Sequence, residues 1–343
     1  MESQAAAPLK SGFHPVPTEV IDFLLARERP IVISHVVPDA DALGSMLGLT
    51  GALIGRGVAA KVSLPAGSLS QRLAFLGDWA KPPVASAADF ARADGFIVVD
   101  TAKNDRCNVG PDLKATDWSA GRPLLNIDHH ATNTQFGTVN WIVGTAGSTT
   151  ELVHAILRAG SWTITPVMAS LLYAGIQTDT LGFSLPTTTP SALRAAADLV
   201  ACGADVGELG ERLCRSQRKS EFDLLRIIYA NTRLAGEGDI AYSSASFDEI
   251  HGAGCTAADI DDQINVPRSL DGVRLALLFT EGRKGKTRIN FRSSGKVTVL
   301  ELAAQFDGGG HAQAAGAILD CGLDCAIEKV IPAAVEFMKR FRQ

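Results

Sequence analysis

No stretch of this sequence approaches the roughly 18 consecutive apolar residues that a bilayer-spanning helix needs. Its apolar runs, such as Phe96–Val99 and the interrupted Leu270–Phe279, are short. The opening MESQAAAPLKSG has no apolar segment behind a basic start, so it reads as a tail and not as a secretory signal. Cysteine is sparse and scattered: of Cys107, Cys202, Cys214, Cys255, Cys321 and Cys325, only the last two are close, and no zinc-type histidine pattern accompanies them. A disulfide framework is thereby excluded, and reduced thiols in a cytoplasmic protein are expected. Positive charge is also lacking. Against 37 acidic residues stand 32 Lys and Arg, giving 32 − 37 = −5. A protein that coats long nucleic acid through its global charge is not built this way. There is no internal repeat and no low-complexity segment.

What is present is the composition of a packed α/β protein, with 46% hydrophobic and 20% charged residues over 343 positions. That length suggests two domains and a core that needs no staples. Ile31–Ser34, Lys61–Leu64, Phe96–Val99 and Leu124–Ile127 are short, continuous apolar or β-branched runs separated by helical patterns, among them Ala42–Gly55. Strands buried on both faces of a parallel sheet have this signature. Further helices are expected near Thr149–Arg158 and Pro166–Ile176. From Ser191 to about Gly236 the chain becomes Ala/Leu/Arg-rich and helical. Strands are expected again at Ile240–Phe247, Val273–Phe279 and Thr287–Phe291, with a helix near 257–265 and a basic hairpin turn at Glu281–Lys286. The expected organisation is a parallel-sheet domain over 12–190, a helical connector over 191–236, and a smaller α/β domain with a mixed sheet over 237–343.

The placement of Asp and His carries the chemistry. His35, Asp39 and Asp41 follow the first strand, Asp100 ends the third, and Asp128-His129-His130 ends the fourth. Ligands bind beyond the carboxyl ends of strands in open parallel sheets. Each acid taken alone reads as a turn former or helix cap, Asp41 before Ala42 especially. Their coincidence at three strand ends favours a metal site. Imidazole with carboxylate and no thiolate suits Mn²⁺, Mg²⁺, Fe²⁺ or Zn²⁺ at a catalytic site, and the imidazoles favour Mn²⁺ over Mg²⁺. The surplus of carboxylates suits two ions about 3.5–4 Å apart sharing a bridging ligand, an arrangement that serves phosphoryl transfer.

These residues carry a family resemblance. His35-x-x-Pro38-Asp39-Ala40-Asp41-Ala42-Leu43-Gly44-Ser45, Asp100, Asp128-His129-His130 and Gln177-Thr178-Asp179-Thr180 resemble the motifs of DHH phosphoesterases. Arg292-Ser293 and the run from Leu302 to Gly316, with Gly308-Gly309-Gly310-His311 inside it, resemble the glycine-rich motif of the DHH-associated C-terminal domain. Within that superfamily the chain is most similar to the two-domain oligoribonuclease/PAP phosphatases. The resemblance implies a hydrolase of very short RNA and of adenosine 3′,5′-bisphosphate (pAp), with linear or cyclic dinucleotides as further substrates. It implies no long duplex and no membrane partner, and dimers occur among such relatives. One Mn²⁺ (with Mg²⁺, Co²⁺, Fe²⁺ or Zn²⁺ as substitutes) is implied on His35, Asp39 and Asp100. A second is implied on Asp41, Asp100, His129 and Asp179. His130 is implied at the scissile phosphate, with Asp128 orienting a histidine. Arg292, Ser293, Gly308, Gly309, Gly310 and His311 are implied in substrate binding, glycines letting backbone N–H groups approach a phosphate.

Two positions depart from the family pattern: Asp307 stands where a glycine is common, and so does Ala40. Two other readings compete. A family II-type inorganic pyrophosphatase shares the first domain's motifs, and a catalytically silent nucleotide sensor could share the scaffold. The glycine run with Arg292-Ser293 favours the nucleotide-acting branch over the first, and the intact ligand set disfavours the second.

Overall fold

In a computed structural model of the chain, the described residues are 13–342 except 68, 71, 111–112, 114–116 and 257–259. The tail expected over 1–12 and the first residues of the helix expected near 257–265 lie outside them. The chain divides between Ser216 and Gln217 into two units, each with its own sheet.

The first unit carries strands β1 (Pro30–Ile33), β2 (Lys61–Val62), β3 (Gly95–Val99), β4 (Leu124–Asp128) and β5 (Val139–Ile142). Its described α-helices of four or more residues are α1 (Thr18–Leu25), α2 (Ala40–Gly55), α3 (Ala74–Ala80), α4 (Ala87–Arg92), α5 (Thr149–Ala159), α6 (Pro166–Asp179), α7 (Pro190–Ala201) and α8 (Val206–Gly210), the last running into a π-helical turn over Glu211–Arg215. The strands are all parallel, in the order β2-β1-β3-β4-β5. β1, β3 and β4 are buried along their whole length, as their continuous apolar runs predict. Alternation sends Val32, Ile97, Val99, Leu125 and Ile127 into the core shared with α2, α5 and α6. Ile31, Ile33, Phe96, Val98 and Leu124 go to the opposite face, against Phe90 and Trp118. The sequence reading did not identify β5. It is an edge strand in which only Trp141 is buried, so it lacks the apolar run that marks the others.

α2 is apolar nearly all round and lies inside the unit. It meets α6 through small residues. A methyl group on Gly44 would lie 2.3 Å from the Leu171 carbonyl oxygen, and one on Gly48 would lie 2.9 Å from Leu172. This close approach brings the first turn of α2 to α6, where a methyl group on Gly175 would lie 2.7 Å from Oδ1 of Asp41.

The second unit has helices α9 (Lys219–Asn231), α10 (Phe247–Gly252), α11 (Asn265–Arg268), α12 (Leu300–Ala304) and α13 (Leu323–Lys339). Its strands are β6 (Arg233–Ala235), β7 (Ile240–Ala245), β8 (Leu275–Arg283), β9 (Lys286–Ser293), β10 (Gly309–His311) and β11 (Ala314–Leu319). The sheet order is β10-β11-β9-β8-β7-β6, and β7 with β8 is the parallel pair in a mixed sheet. Leu275, Leu277, Phe279, Ile289 and Phe291 pack on Val330, Phe337 and Met338 of α13. Ala276 and Leu278 pack on Leu224, Ile228 and Ile250 from the other side. The strand expected to reach Phe247 ends at Ala245, because Ser246 and Glu249 form a capping box that starts α10.

Gly44→Ala is expected to lower the unfolding free energy by about 1–3 kcal/mol, since backbone and not a flexible side chain opposes the new methyl group. Denaturant melts check this, and an unchanged midpoint would contradict the close α2–α6 contact.

Candidate metal centre

The strand order reverses direction between β1 and β3, and the candidate ligands gather at the carboxyl ends of β1, β3 and β4. Beyond β1, Asp39 is the N-cap of α2, its Oδ1 accepting from the backbone N–H groups of Asp41 at 3.1 Å and Ala42 at 3.0 Å. The cap role that sequence alone allowed Asp41 thus falls to Asp39. Asp41 lies inside the first turn, fully buried. Beyond β3, Asp100 adopts a left-handed backbone with φ 51° and donates its N–H to Ile127 of β4. Aspartate is among the few residues that tolerate this turn. Asp179 is the last residue of α6, at the helix end where a carboxylate meets partial negative charge.

Three groups bring ligand atoms within 4.8 Å of one another: His35, Asp39 and Asp100; Asp41, His129 and Asp179; and Asp100, His129 and His130. Nε2 of His129 lies 3.3 Å from Asp179, 3.6 Å from Asp100 and 3.9 Å from Asp41. Nε2 of His35 lies 3.5 Å from Asp100 and 3.9 Å from Asp39. These separations exceed direct hydrogen bonds and suit atoms converging on a shared centre. In both histidines Nδ1 faces a backbone carbonyl, Val36 at 2.9 Å and Ala146 at 3.4 Å. A carbonyl only accepts, so Nδ1 carries a proton in both rings and Nε2 is the atom turned toward the carboxylates, the one that could serve as a ligand where a cation takes the place of its proton.

The electrostatics point the same way. Burial and then the charges of Asp100 and Asp39 push the Asp41 carboxyl well above its ordinary range, although Thr150 hydrogen-bonds to it. Burial and the charges of Asp41, Asp39 and Asp100 do the same to Asp179. Burial opposes charge on Asp100 too, but the imidazoles of His35, His129 and His130 outweigh it and hold this carboxyl below its usual value. Positive charge at the centre of this group is what its acids lack. Hard carboxylates with two imidazoles fit one or more divalent cations.

Asp128 stands apart from all three groups. It is fully buried, and its Oδ1 accepts from the N–H groups of His129 and His130 and from Nδ1 of His130 at 2.7 Å. Its Oδ2 accepts from the Asn133 amide at 2.6 Å. That carboxylate raises the His130 pKa to about 9 and uses up Nδ1, the atom through which His130 approaches Asp100.

In the second unit, Arg292 pairs in register with Ala314, which pairs with His311 of β10. The His311 side chain lies outside what the structure describes. The Ser293 hydroxyl, 3% exposed as a residue, donates to the Val297 carbonyl at 2.6 Å and closes a turn. Gly308 is required by packing, since a methyl group there would lie 2.5 Å from the Gly316 carbonyl oxygen. Gly310 has φ 146°, whereas a methyl group on Gly309 would meet nothing within 4 Å. Asp307 is left-handed, with φ 53°, which explains why glycine suits this position and aspartate can replace it.

A family model described as the DHH family, N-terminal domain, matches residues 29–176, and a DHHA1 domain model matches residues 238–342. The bifunctional oligoribonuclease and PAP phosphatase NrnA of Thermus thermophilus is 31% identical over 325 residues, covering 94% of each chain. The chain belongs to the DHH family. NrnA of Bacillus subtilis is 28% identical over 305 residues, 88% of this chain and 92% of that one. Among solved structures, an exopolyphosphatase-related protein from Bacteroides fragilis superposes on this DHH chain with a TM-score of 0.84 at 23% identity, covering 94% of this chain and 96% of that one.

The sequence reading of this DHH protein missed the residues that hold the acids in place. At the N-terminus of α5, Asp41 accepts from the N–H of Thr149 at 2.7 Å, the N–H of Thr150 at 2.8 Å and the Thr150 hydroxyl at 2.6 Å. The Thr149 hydroxyl donates to Asp100 at 3.0 Å. Ser148-Thr149-Thr150-Glu151 has the Ser-x-x-Glu spacing of a helix start, where exposed N–H groups bind anions, and that signal could have found them. Asn133, which joins Asp128 to Asn126, carries no comparable pattern.

Thr150→Val keeps the shape and removes the hydroxyl from Asp41. Divalent-cation affinity is expected to fall by about tenfold, measured by calorimetric titration of metal-free protein. Unchanged affinity would show that the two N–H donors suffice.

Proposed function

We propose that this chain is a manganese-dependent two-metal phosphoesterase that hydrolyses very short oligoribonucleotides and pAp, with dinucleotides as further substrates. The observation that carries the reading is the convergence of the carboxylates of Asp39, Asp41, Asp100 and Asp179 with Nε2 of His35 and His129 at the carboxyl edge of the sheet. The oligoribonuclease and PAP phosphatase activity of the NrnA relatives supports the substrate class. In this reading His35, Asp39 and Asp100 would hold one cation, and Asp41, Asp100, His129 and Asp179 would hold the other. Such cations supply a nucleophilic water at neutral pH and offset charge on the phosphoryl oxygens.

The chain's own residues do the rest. Asp128 fixes the His130 ring through Nδ1, and His130 holds a proton at Nε2 for the phosphate or the leaving oxygen. In the second unit, Arg292 would offer a planar guanidinium to a phosphate. We assign the run Gly308–His311 to phosphate binding, with Gly309 leaving the approach open, although the Gly308 N–H already donates to the Ala303 carbonyl. Mn²⁺ is favoured over Mg²⁺ by the two imidazoles, with Co²⁺, Fe²⁺ and Zn²⁺ as substitutes. No described helix is long and apolar enough to cross a membrane, and we assign the protein to the cytoplasm.

With Mn²⁺, purified protein is expected to release phosphate from pAp and mononucleotide from a labelled RNA dinucleotide. Release from neither, or turnover of inorganic pyrophosphate alone, would overturn the reading. Asp100→Asn is expected to lower turnover on the order of 100-fold or more. Mn²⁺ should also raise the melting temperature of the wild type and leave that of Asp100→Asn unmoved, because a ligand stabilises only the state that binds it.

A further inference from the structure

Behind the ligand cage lies a carboxylate that neither the family resemblance nor the proposed mechanism uses. Glu151, in the first turn of α5, is 1% exposed. Its Oε2 accepts from the Gly147 N–H at 2.8 Å, and its Oε1 lies 2.9 Å from Nε2 of His14. Burial raises this carboxyl, but the His14 ring, the nearby Ser191 hydroxyl and the Gly147 N–H together hold it below the ordinary value. A glutamate at this helix position commonly reaches back to the cap residue's N–H at the surface. Here the helix already has a cap, since Ser148 accepts from the Glu151 N–H at 3.2 Å. The side chain instead reaches past the cap to Gly147 and gathers two distant segments, at His14 and at the first turn of α7. Gly147 fits tightly there, and a methyl group on it would lie 3.0 Å from the Thr187 carbonyl oxygen. Capping alone requires none of this burial.

The three residues that follow Gly147 are Ser148, Thr149 and Thr150, and the last two supply every hydrogen bond that α5 makes to Asp41 and Asp100. We propose that Glu151 is a positioning residue for the metal centre: by fixing Gly147 against His14 and Ser191, it sets where the α5 N-terminus holds Asp41 and Asp100. Glu151 touches neither acid and acts through the backbone of residues 147–150. The inference rests on the two-metal reading given above.

The test measures Mn²⁺ binding to metal-free, full-length protein by calorimetry and electron paramagnetic resonance, well below the melting temperature and without substrate. Glu151→Gln keeps the shape and loses the charge that holds its donors. Its Mn²⁺ affinity is expected to fall about tenfold, with kcat reduced and KM for an RNA dinucleotide nearly unchanged. His14→Gln and Ser191→Ala, each removing one partner, should lower the affinity by smaller factors in the same direction. A purely structural role predicts a lower melting temperature with wild-type Mn²⁺ affinity, and that result overturns the proposal. Should Glu151→Gln fail to fold, wild-type affinity in both His14→Gln and Ser191→Ala overturns it equally. A wild type that binds no divalent cation overturns the two-metal reading and this proposal with it. A wild type that binds Mn²⁺ no better than Glu151→Gln overturns the positioning role alone.

Discussion

Asp41 and Asp100 are carboxylates taken out of water, and the charges of Asp100 and Asp39 raise the cost of ionising Asp41, as those of Asp41, Asp39 and Asp100 do for Asp179. Like charges at this separation resist ionising together. The fold answers with hydrogen bonds and imidazoles and, among the described residues, not with a buried Lys or Arg. Thr149, Thr150 and the α5 N-terminus serve Asp41, while His35, His129 and His130 face Asp100. Those donors do not suffice for Asp41, whose carboxyl stays well above its ordinary value. The remaining deficit of positive charge is the physical case for cations. It also explains why the surroundings are so tightly determined.

That determination runs through backbone geometry. The glycine seam of α2 lets α6 approach until Asp41 and Asp179 share one centre, and a side chain at Gly44 or Gly175 would force them apart. Asp100 turns over the sheet edge in a left-handed conformation, anchored by its N–H to β4. Asp39 combines two tasks, capping α2 with one oxygen and facing His35 with the other. Asp128 is spent on His130 and on Asn133. Each acid is thus fixed by a different local device, and all of the devices act at one edge of one sheet.

Much of this arrangement was legible because strands and ligands are both written as local patterns. Short apolar runs ending in Asp or His gave β1, β3 and β4 together with the residues beyond them. What escaped was held by contacts between segments distant in the chain. β5 reads poorly because an edge strand needs only one buried face, and Trp141 alone marks it. Thr149 and Thr150 look like ordinary helix-start residues until Asp41, 108 and 109 positions away, is seen to occupy that helix end. Asp179 carried the weakest signal, lying at a helix end and not a strand end, yet it stands 3.3 Å from His129. The Ser293 hydroxyl shows the converse: a residue placed by resemblance in substrate binding commits its side chain to a local turn.

The formal charge of −5 gains a specific meaning from the same balance. A protein that recognises phosphates with lysines and arginines alone carries their charge permanently and attracts any polyanion, long or short. In the proposed reading, cations bound by the acids at the sheet edge would complete their neutralisation and place positive potential for a phosphate at that centre. Away from that centre the net charge is repulsive to a long nucleic acid, and that repulsion grows with every additional phosphate lying beyond the site. A dinucleotide or a nucleoside bisphosphate has few such phosphates to repel. Selection for short substrates can therefore arise from electrostatics as well as from shape.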